Sequence, residues 1–201
     1  MLLIDPAFRP RIAHLDLEAI EASADPTYAV DHDFVIRAVN SAYLEFGRAN
    51  GHPEVAQDHA VGCPLFAAMD PPARDFYVRT YLRVLQGGEP FHQDYECSSP
   101  AVYRRFRLSV YPLPAHGGLL ISNHLAFEGP VQREAVPVSD AHRTRDGLII
   151  QCCHCRKVQN QLAPNTWDWV PDLVAERQLN VSHSLCPACL AHYYPELSES
   201  A

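Results

Sequence analysis

The chain of 201 residues is 47% hydrophobic and 20% charged, a balance that places it among packed globular proteins and excludes disordered and fibrous classes. Its formal charge of −8 excludes a general affinity for nucleic acid, because neutralising phosphates requires a basic face. Single domains run to about 100–150 residues, so one full domain and a small appendage are expected.

Leu2-Leu3-Ile4 is the first apolar run, and Asp5-Pro6 ends it before a signal-peptide core or a membrane span can form. A cytoplasmic protein without membrane partners is expected. Leu15, Leu17, Ile20 and Ala22 among acidic residues predict an amphipathic helix of about three turns within residues 1–24. Asp25-Pro26 breaks it. Thr27 to Val30 and Phe34 to Val39 flank the polar Asp31-His32-Asp33 and read as two antiparallel strands. Asn40-Ser41 caps a short helix containing Ala42, Tyr43, Phe46 and Ala49, which Asn50-Gly51 ends. A longer helix opens at Pro71-Pro72, carries Phe76, Tyr77, Tyr81, Val84 and Leu85 on one side, and stops at Gly87-Gly88. Strands follow over 91–97, 103–111 and 119–124. In the middle one Phe106, Leu108 and Val110 alternate with Arg105, Arg107 and Ser109, the pattern of a half-buried antiparallel sheet.

The order β-β-α-α-β-β-β over residues 25–128 resembles the PAS domain family of sensory modules. The resemblance is carried by Tyr28-Ala29-Val30-Asp31, by Val39-Asn40-Ser41-Ala42-Tyr43 and by the long helix before Gly87-Gly88-Glu89-Pro90. It implies an α+β fold in which a five-stranded antiparallel sheet and flanking helices enclose a pocket. A ligand, of identity unknown from the sequence, would contact Phe66, Tyr81, Tyr95, Phe106 and Leu108. No motif names a cofactor; His59, His92 and His124 read as surface or hydrogen-bonded residues rather than haem ligands. The resemblance also implies a protein partner in signalling, and homodimerisation through the helix around Leu15 to Ala22.

Residues 129–147 lose periodicity and contain Pro130, Pro137 and Ser139, which predicts a linker to a module over 148–197. Five of the seven cysteines fall in that module in paired spacings, the pattern of metal ligation rather than of a disulfide framework. Cys152-x-x-Cys155 and Cys186-Pro-Ala-Cys189 supply four thiolates for a tetrahedral zinc site. A segment this short buries too little apolar surface to fold unaided, so the metal is structural, with Trp167, Trp169, Val170, Leu173 and Val174 as its small core. Cys153 and His154 have the wrong offset to be ligands, and His183 reads as a neighbour of the site rather than a member. Cys63 and Cys97 read as small core residues.

The tail resembles a zinc-ribbon-like extension of bacterial PAS and response-regulator proteins. The matching elements are Cys152-Cys153-His154-Cys155-Arg156-Lys157, Trp167, Ser182-His183-Ser184-Leu185-Cys186-Pro187-Ala188-Cys189 and Tyr194-Pro195-Glu196, with Ser184 in place of the usual Gly. Together the motifs imply a non-enzymatic sensory or regulatory protein. No Gly-rich phosphate loop, G-x-S-x-G or HExxH motif is present, and four cysteines close the zinc shell against catalysis. The alternative is a redox sensor in which Cys153 resolves an oxidised cluster that ejects zinc; a zinc enzyme ranks last.

Overall fold

The computed structural model describes residues 2–50, 60–67, 69, 71–175 and 180–195. Gly51, His59 and Glu196, all used in the sequence reading, lie outside the described residues. The chain divides into two compact units, Met1–Gln93 with Arg107–His124, and Asp94–Phe106 with Leu125–Ala201.

The sheet that begins in the first unit has six strands, in the order β1-β3-β2-β6-β5-β4. They are β1 (Leu3–Ile4), β2 (Thr27–Val30), β3 (Ile36–Val39), β4 (Phe91–Glu96), β5 (Val102–Pro112) and β6 (Leu119–Pro130). The sixth strand is the short apolar run at the start of the chain: Leu3 pairs with Val39 and Ile4 with Ala38, so the expected five-stranded sheet gains an edge. β2 is antiparallel to β3 and to β6, with Ala29 opposite Ala38 on one side and Leu120 on the other. Gly118 feeds β6 at φ +135, and a Cβ there would fall on the Val30 carbonyl oxygen, so this entry requires glycine.

The three-turn helix expected within residues 1–24 is instead two short ones, α1 (Arg9–Ile12) and α2 (Leu17–Ala22). The Asp16 carboxylate accepts from the Ala19 N–H and starts α2 afresh, which separates it from α1. Phe8 and Ile12 then bury against Ala29, Ala38 and Leu113, with Leu15, Leu17 and Leu120 packed around them. Small alanines on β2 and β3 leave room for this layer. Leu15 and Leu17, which the sequence reading placed at a dimer contact, are partly buried against this cluster.

Two further helices, α3 (Ser41–Ala49) and α4 (Pro71–Gly87), form where capping and proline placed them. Asn40 is fully buried and connects three segments, α2, the start of β2 and α3. Its Oδ1 accepts from the Thr27 and Tyr43 N–H groups, and its Nδ2 donates to the Ile20 and Asp25 carbonyls. Gly88, at φ +74, donates to the Val84 carbonyl and ends α4. Phe76, Thr80, Tyr81, Val84 and Leu85 on α4 are buried. In β5 the buried Phe106, Leu108 and Val110 alternate with outward residues, as the pattern predicts.

The second unit holds a four-stranded sheet in the order β10-β7-β8-β9, made of β7 (Ile149–Cys152), β8 (Val158–Asn160), β9 (Ala163–Asp168) and β10 (Val181–Ser184). β10 runs parallel to β7; β8 is antiparallel to both β7 and β9. Helices α5 (Asp172–Ala175) and α6 (Pro187–Tyr193) complete it. Ile149, Val158, Val170 and Leu173 form one small core, against which Val181 packs. Trp167 packs instead against the four cysteines.

Residues 129–147, expected as a linker, behave as a strap within this unit. Val136 N–H donates to the Trp169 carbonyl, and a single 3-10 turn at Asp140–His142 buries His142 to 1% exposure. His142 accepts the Ser139 N–H at Nδ1 and donates from Nε2 to Asp168, which also receives the Asn160 amide. The Val136 backbone and the His142 side chain hold the strap down, neither of which the linker pattern of Pro130, Pro137 and Ser139 announces. Among the described residues no helix is long and apolar enough to cross a membrane.

Candidate metal centre

β7 ends at Cys152, and a tight turn follows in which Arg156 takes φ 60 and donates its N–H back to the Cys152 carbonyl. This turn brings Cys155 beside Cys152. Parallel pairing of β10 with β7 sets Ser184 opposite Cys152, so the chain delivers Cys186 to the same place two residues later. Cys186 is the N-cap of α6 and Pro187 opens it, which puts Cys189 in the first turn facing back.

The four sulfurs lie within 4.8 Å of one another, and all four residues are buried. Cys155 and Cys186 are 3.7 Å apart at Sγ. A tetrahedron with metal–sulfur bonds of ~2.3 Å has edges of about 3.8 Å, so the donor set fits a four-coordinate ion of the size of zinc. Backbone N–H groups point at the sulfurs: Cys186 N–H donates to Cys152 and Cys189 N–H to Cys186, each at 3.4 Å. Thiol donation from Cys155, Cys186 and Cys189 draws the Cys152 pKa far down, while hydrogen bonding to Cys152 pushes those of Cys155 and Cys189 up. A soft dication would take the place of the thiol protons and fit all four sulfurs at once.

Neither His183 nor Cys153 belongs to the four-sulfur group. Cys153 donates its N–H to the Ser184 carbonyl and is partly exposed. His154 is buried beneath the centre, its ring parallel to Tyr193 at 4.4 Å and its Nε2 2.6 Å from the Tyr194 hydroxyl. Burial pushes the His154 pKa down, so the imidazole is neutral.

One support has no signal in the sequence. Arg133 donates to the Cys155 carbonyl at 2.9 Å and to Glu96 at 2.7 Å, and its guanidinium lies 5.6 Å from the Tyr103 ring and 5.0 Å from that of Trp169. Ser98 donates to the other Glu96 oxygen, so this buried carboxylate is satisfied at both ends. Arg133 sits in the stretch expected as a linker and Glu96 at a strand end. Neither position carries a motif, and only the tertiary fold brings them to the knuckle.

The residues expected at a ligand pocket fall into two groups. In the first unit Phe66 and Tyr81 meet at 5.7 Å between ring centroids, with Phe34 5.1 Å from Phe66, and Leu108 is buried. In the second unit Tyr95 stacks on Phe106 at 5.5 Å. Phe34 was not singled out in the sequence; its φ of 59 in the turn after Asp31 is what directs it to the other two rings. His92 meets Ser109 and His124 meets Asp25, both as exposed hydrogen-bonded residues. Cys63 and Cys97, expected in the core, are exposed, because each sits in an irregular segment flanking the sheet rather than inside a strand.

Residues 20–126 match the PAS fold family, over half of the chain. No curated protein matches the sequence. Similar solved structures include a domain of the sensory box sensor histidine kinase/response regulator from Geobacter sulfurreducens, at 19% identity and TM-score 0.40, covering 53% of this chain and 88% of that one. The photoactive yellow protein domain of the sensor histidine kinase Ppr from Rhodospirillum centenum is similar at 19% identity and TM-score 0.40, covering 55% and 99%. The VqmA dimer of Vibrio cholerae is similar at 18% identity and TM-score 0.41, covering 56% and 53%. With its strand order, its buried Asn40 at the head of α3 and its match over residues 20–126, the chain belongs to the PAS fold family.

Proposed function

We propose that this chain is a non-enzymatic sensory or regulatory protein in which the PAS-fold unit senses or docks and the four-cysteine unit holds one structural zinc ion. Cys152, Cys155, Cys186 and Cys189 are its ligands, and the ion fixes the β7 turn to the start of α6. The observation that carries this reading is the group of four buried thiols within 4.8 Å in a chain that also matches the PAS fold. A closed shell of four thiolates leaves no open position for substrate, which supports a structural ion over a catalytic one. Output passes to a protein partner, since the chain carries no recognisable catalytic motif and its charge of −8 opposes nucleic acid.

Elemental analysis of protein purified without added metal tests the zinc reading. One zinc per chain is expected, falling to near zero in Cys152→Ser and Cys186→Ser and unchanged in Cys153→Ser. Absence of zinc from the parent protein, or its retention in Cys152→Ser, would overturn the assignment.

A further inference from the structure

Within the second unit a groove of about 670 Å³ opens along one side of the four-cysteine centre, a volume in the ~300–1,000 Å³ range of small-molecule sites. It does not meet the four cysteines equally. Cys155, Cys186 and Cys189 line it, whereas Cys152 does not. Exposure follows the same division: Cys189 and Cys155 are 7% and 6% exposed, Cys186 3% and Cys152 0%.

The sulfurs also differ in what stabilises their charge. Cys186 N–H donates to the Cys152 sulfur and Cys189 N–H to the Cys186 sulfur, while among the described residues no N–H donates to the sulfur of Cys155 or of Cys189. Arg133, bound to the Cys155 carbonyl, acts on Cys155 through its charge. A donor or a cation beside a thiolate lowers its basicity and with it its nucleophilicity. Cys189 therefore joins access from the groove to the least stabilised sulfur. Pro187 and Ala188, just before it at the start of α6, share the groove lining, and the rings of Trp167 and Tyr193, packed against the cysteines, add apolar surface. Four thiolates around one dication keep a net negative charge, and the Arg133 cation in the lining is matched by Glu96, so the sulfur side of the groove favours an uncharged reagent over an anion.

We infer that Cys189 is a sulfenylation site, open through this groove to a small uncharged disulfide or thiosulfonate. Its sulfur attacks one sulfur of the reagent's S–S bond: a new S–S bond forms on Cys189, the reagent's bond breaks, and the departing thiolate or sulfinate carries off the electron pair, so that Cys189 is oxidised and the reagent reduced. The reaction withdraws one of the four ligands. The inference rests on the zinc reading above, which calls for Cys189 as a thiolate, and it places the reactive sulfur inside the shell rather than at Cys153, which lies outside the four-sulfur group.

The test treats the purified full chain, its zinc content measured first, with methyl methanethiosulfonate, quenches in acid at intervals and maps each cysteine by peptide mass spectrometry. Among the four ligands Cys189 is expected to be modified first, roughly tenfold faster than Cys152, with zinc release following at the same rate. Ala188→Trp, which sets a large ring in the groove lining, should slow modification of Cys189 several-fold while zinc content and the rate at the exposed Cys63 stay unchanged. The anionic sulfonatoethyl analogue should be slower at Cys189 than the methyl reagent when each is measured against Cys63. In zinc-loaded protein, modification of another ligand as early as Cys189, a Cys189 rate untouched by Ala188→Trp, or a preference for the anionic reagent would each overturn the inference and leave the zinc reading standing. Protein isolated without zinc would remove that reading and this inference with it.

Discussion

Asn40 illustrates how much one side chain organises in the first unit. It donates twice and accepts twice while fully buried, so truncation leaves two N–H groups and two carbonyls without their partner. Asn40→Ala is expected to destabilise that unit by about 2–4 kcal/mol, read as a lower denaturant midpoint at unchanged slope. The sequence identified Asn40 as a helix cap, but its other three hydrogen bonds reach segments far away in the chain, which no local pattern encodes. Asp31 is a second case. Burial works to raise its pKa, but the Val35 N–H, the Arg37 guanidinium at 2.7 Å and the Asp33 N–H overcome that and lower it. Because the folded value lies below the unfolded one, its contribution is complete above the unfolded value of about 4 and is lost as pH falls through the folded value. Acid titration of stability should show this loss below about pH 4, and Asp31→Asn should flatten the curve in that window. A steepening there in the variant would contradict the assignment.

Among the elements, those built on local chemistry form as the sequence predicts. Asn40 opens α3, prolines open α4, Gly88 closes it, and the alternation in β5 buries the expected face. Elements that depend on distant partners depart from the pattern. The run Leu3–Ile4 is too short to announce a strand and becomes one only because β3 offers a free edge. Likewise the irregular stretch after β6 becomes a strap because Trp169, Asp168 and Glu96 accept its donors. The β2–β6 pairing carries a test at this scale. Gly118→Ala would place a methyl group on the Val30 carbonyl in a backbone conformation strained for any other residue, so a loss of about 3 kcal/mol or more is expected. Gly88→Ala, with open space around its Cβ position, should cost only about 1 kcal/mol from its positive φ. Thermal melts of the two variants make the comparison; equal effects would argue against the close approach at Val30.

For the molecule as a whole, the two units draw stability from different sources. The first buries apolar side chains from α1, α4 and its strands, whereas the described residues of the second include a small apolar cluster of Ile149, Val158, Val170 and Leu173 beside a cluster of cysteines. Structural zinc supplies ~10–16 kcal/mol of apparent binding energy to small modules of this kind. Removal of the ion by a chelator is therefore expected to abolish amide exchange protection over β7, β8 and β10 while β2 and β3 retain theirs. Equal loss in both sheets, or retention in β7, would show that the second unit does not rely on the ion. The sequence by itself determined which four cysteines come together and the strand and helix order of the PAS fold, because two-residue spacers in a knuckle, helix caps and period-two alternation act over a few residues. Tertiary structure alone decided which residues support the four-cysteine cluster. Glu96, Arg133 and Trp167 come from well-separated segments, and the energies that bring them together are contacts between segments rather than properties of any one of them.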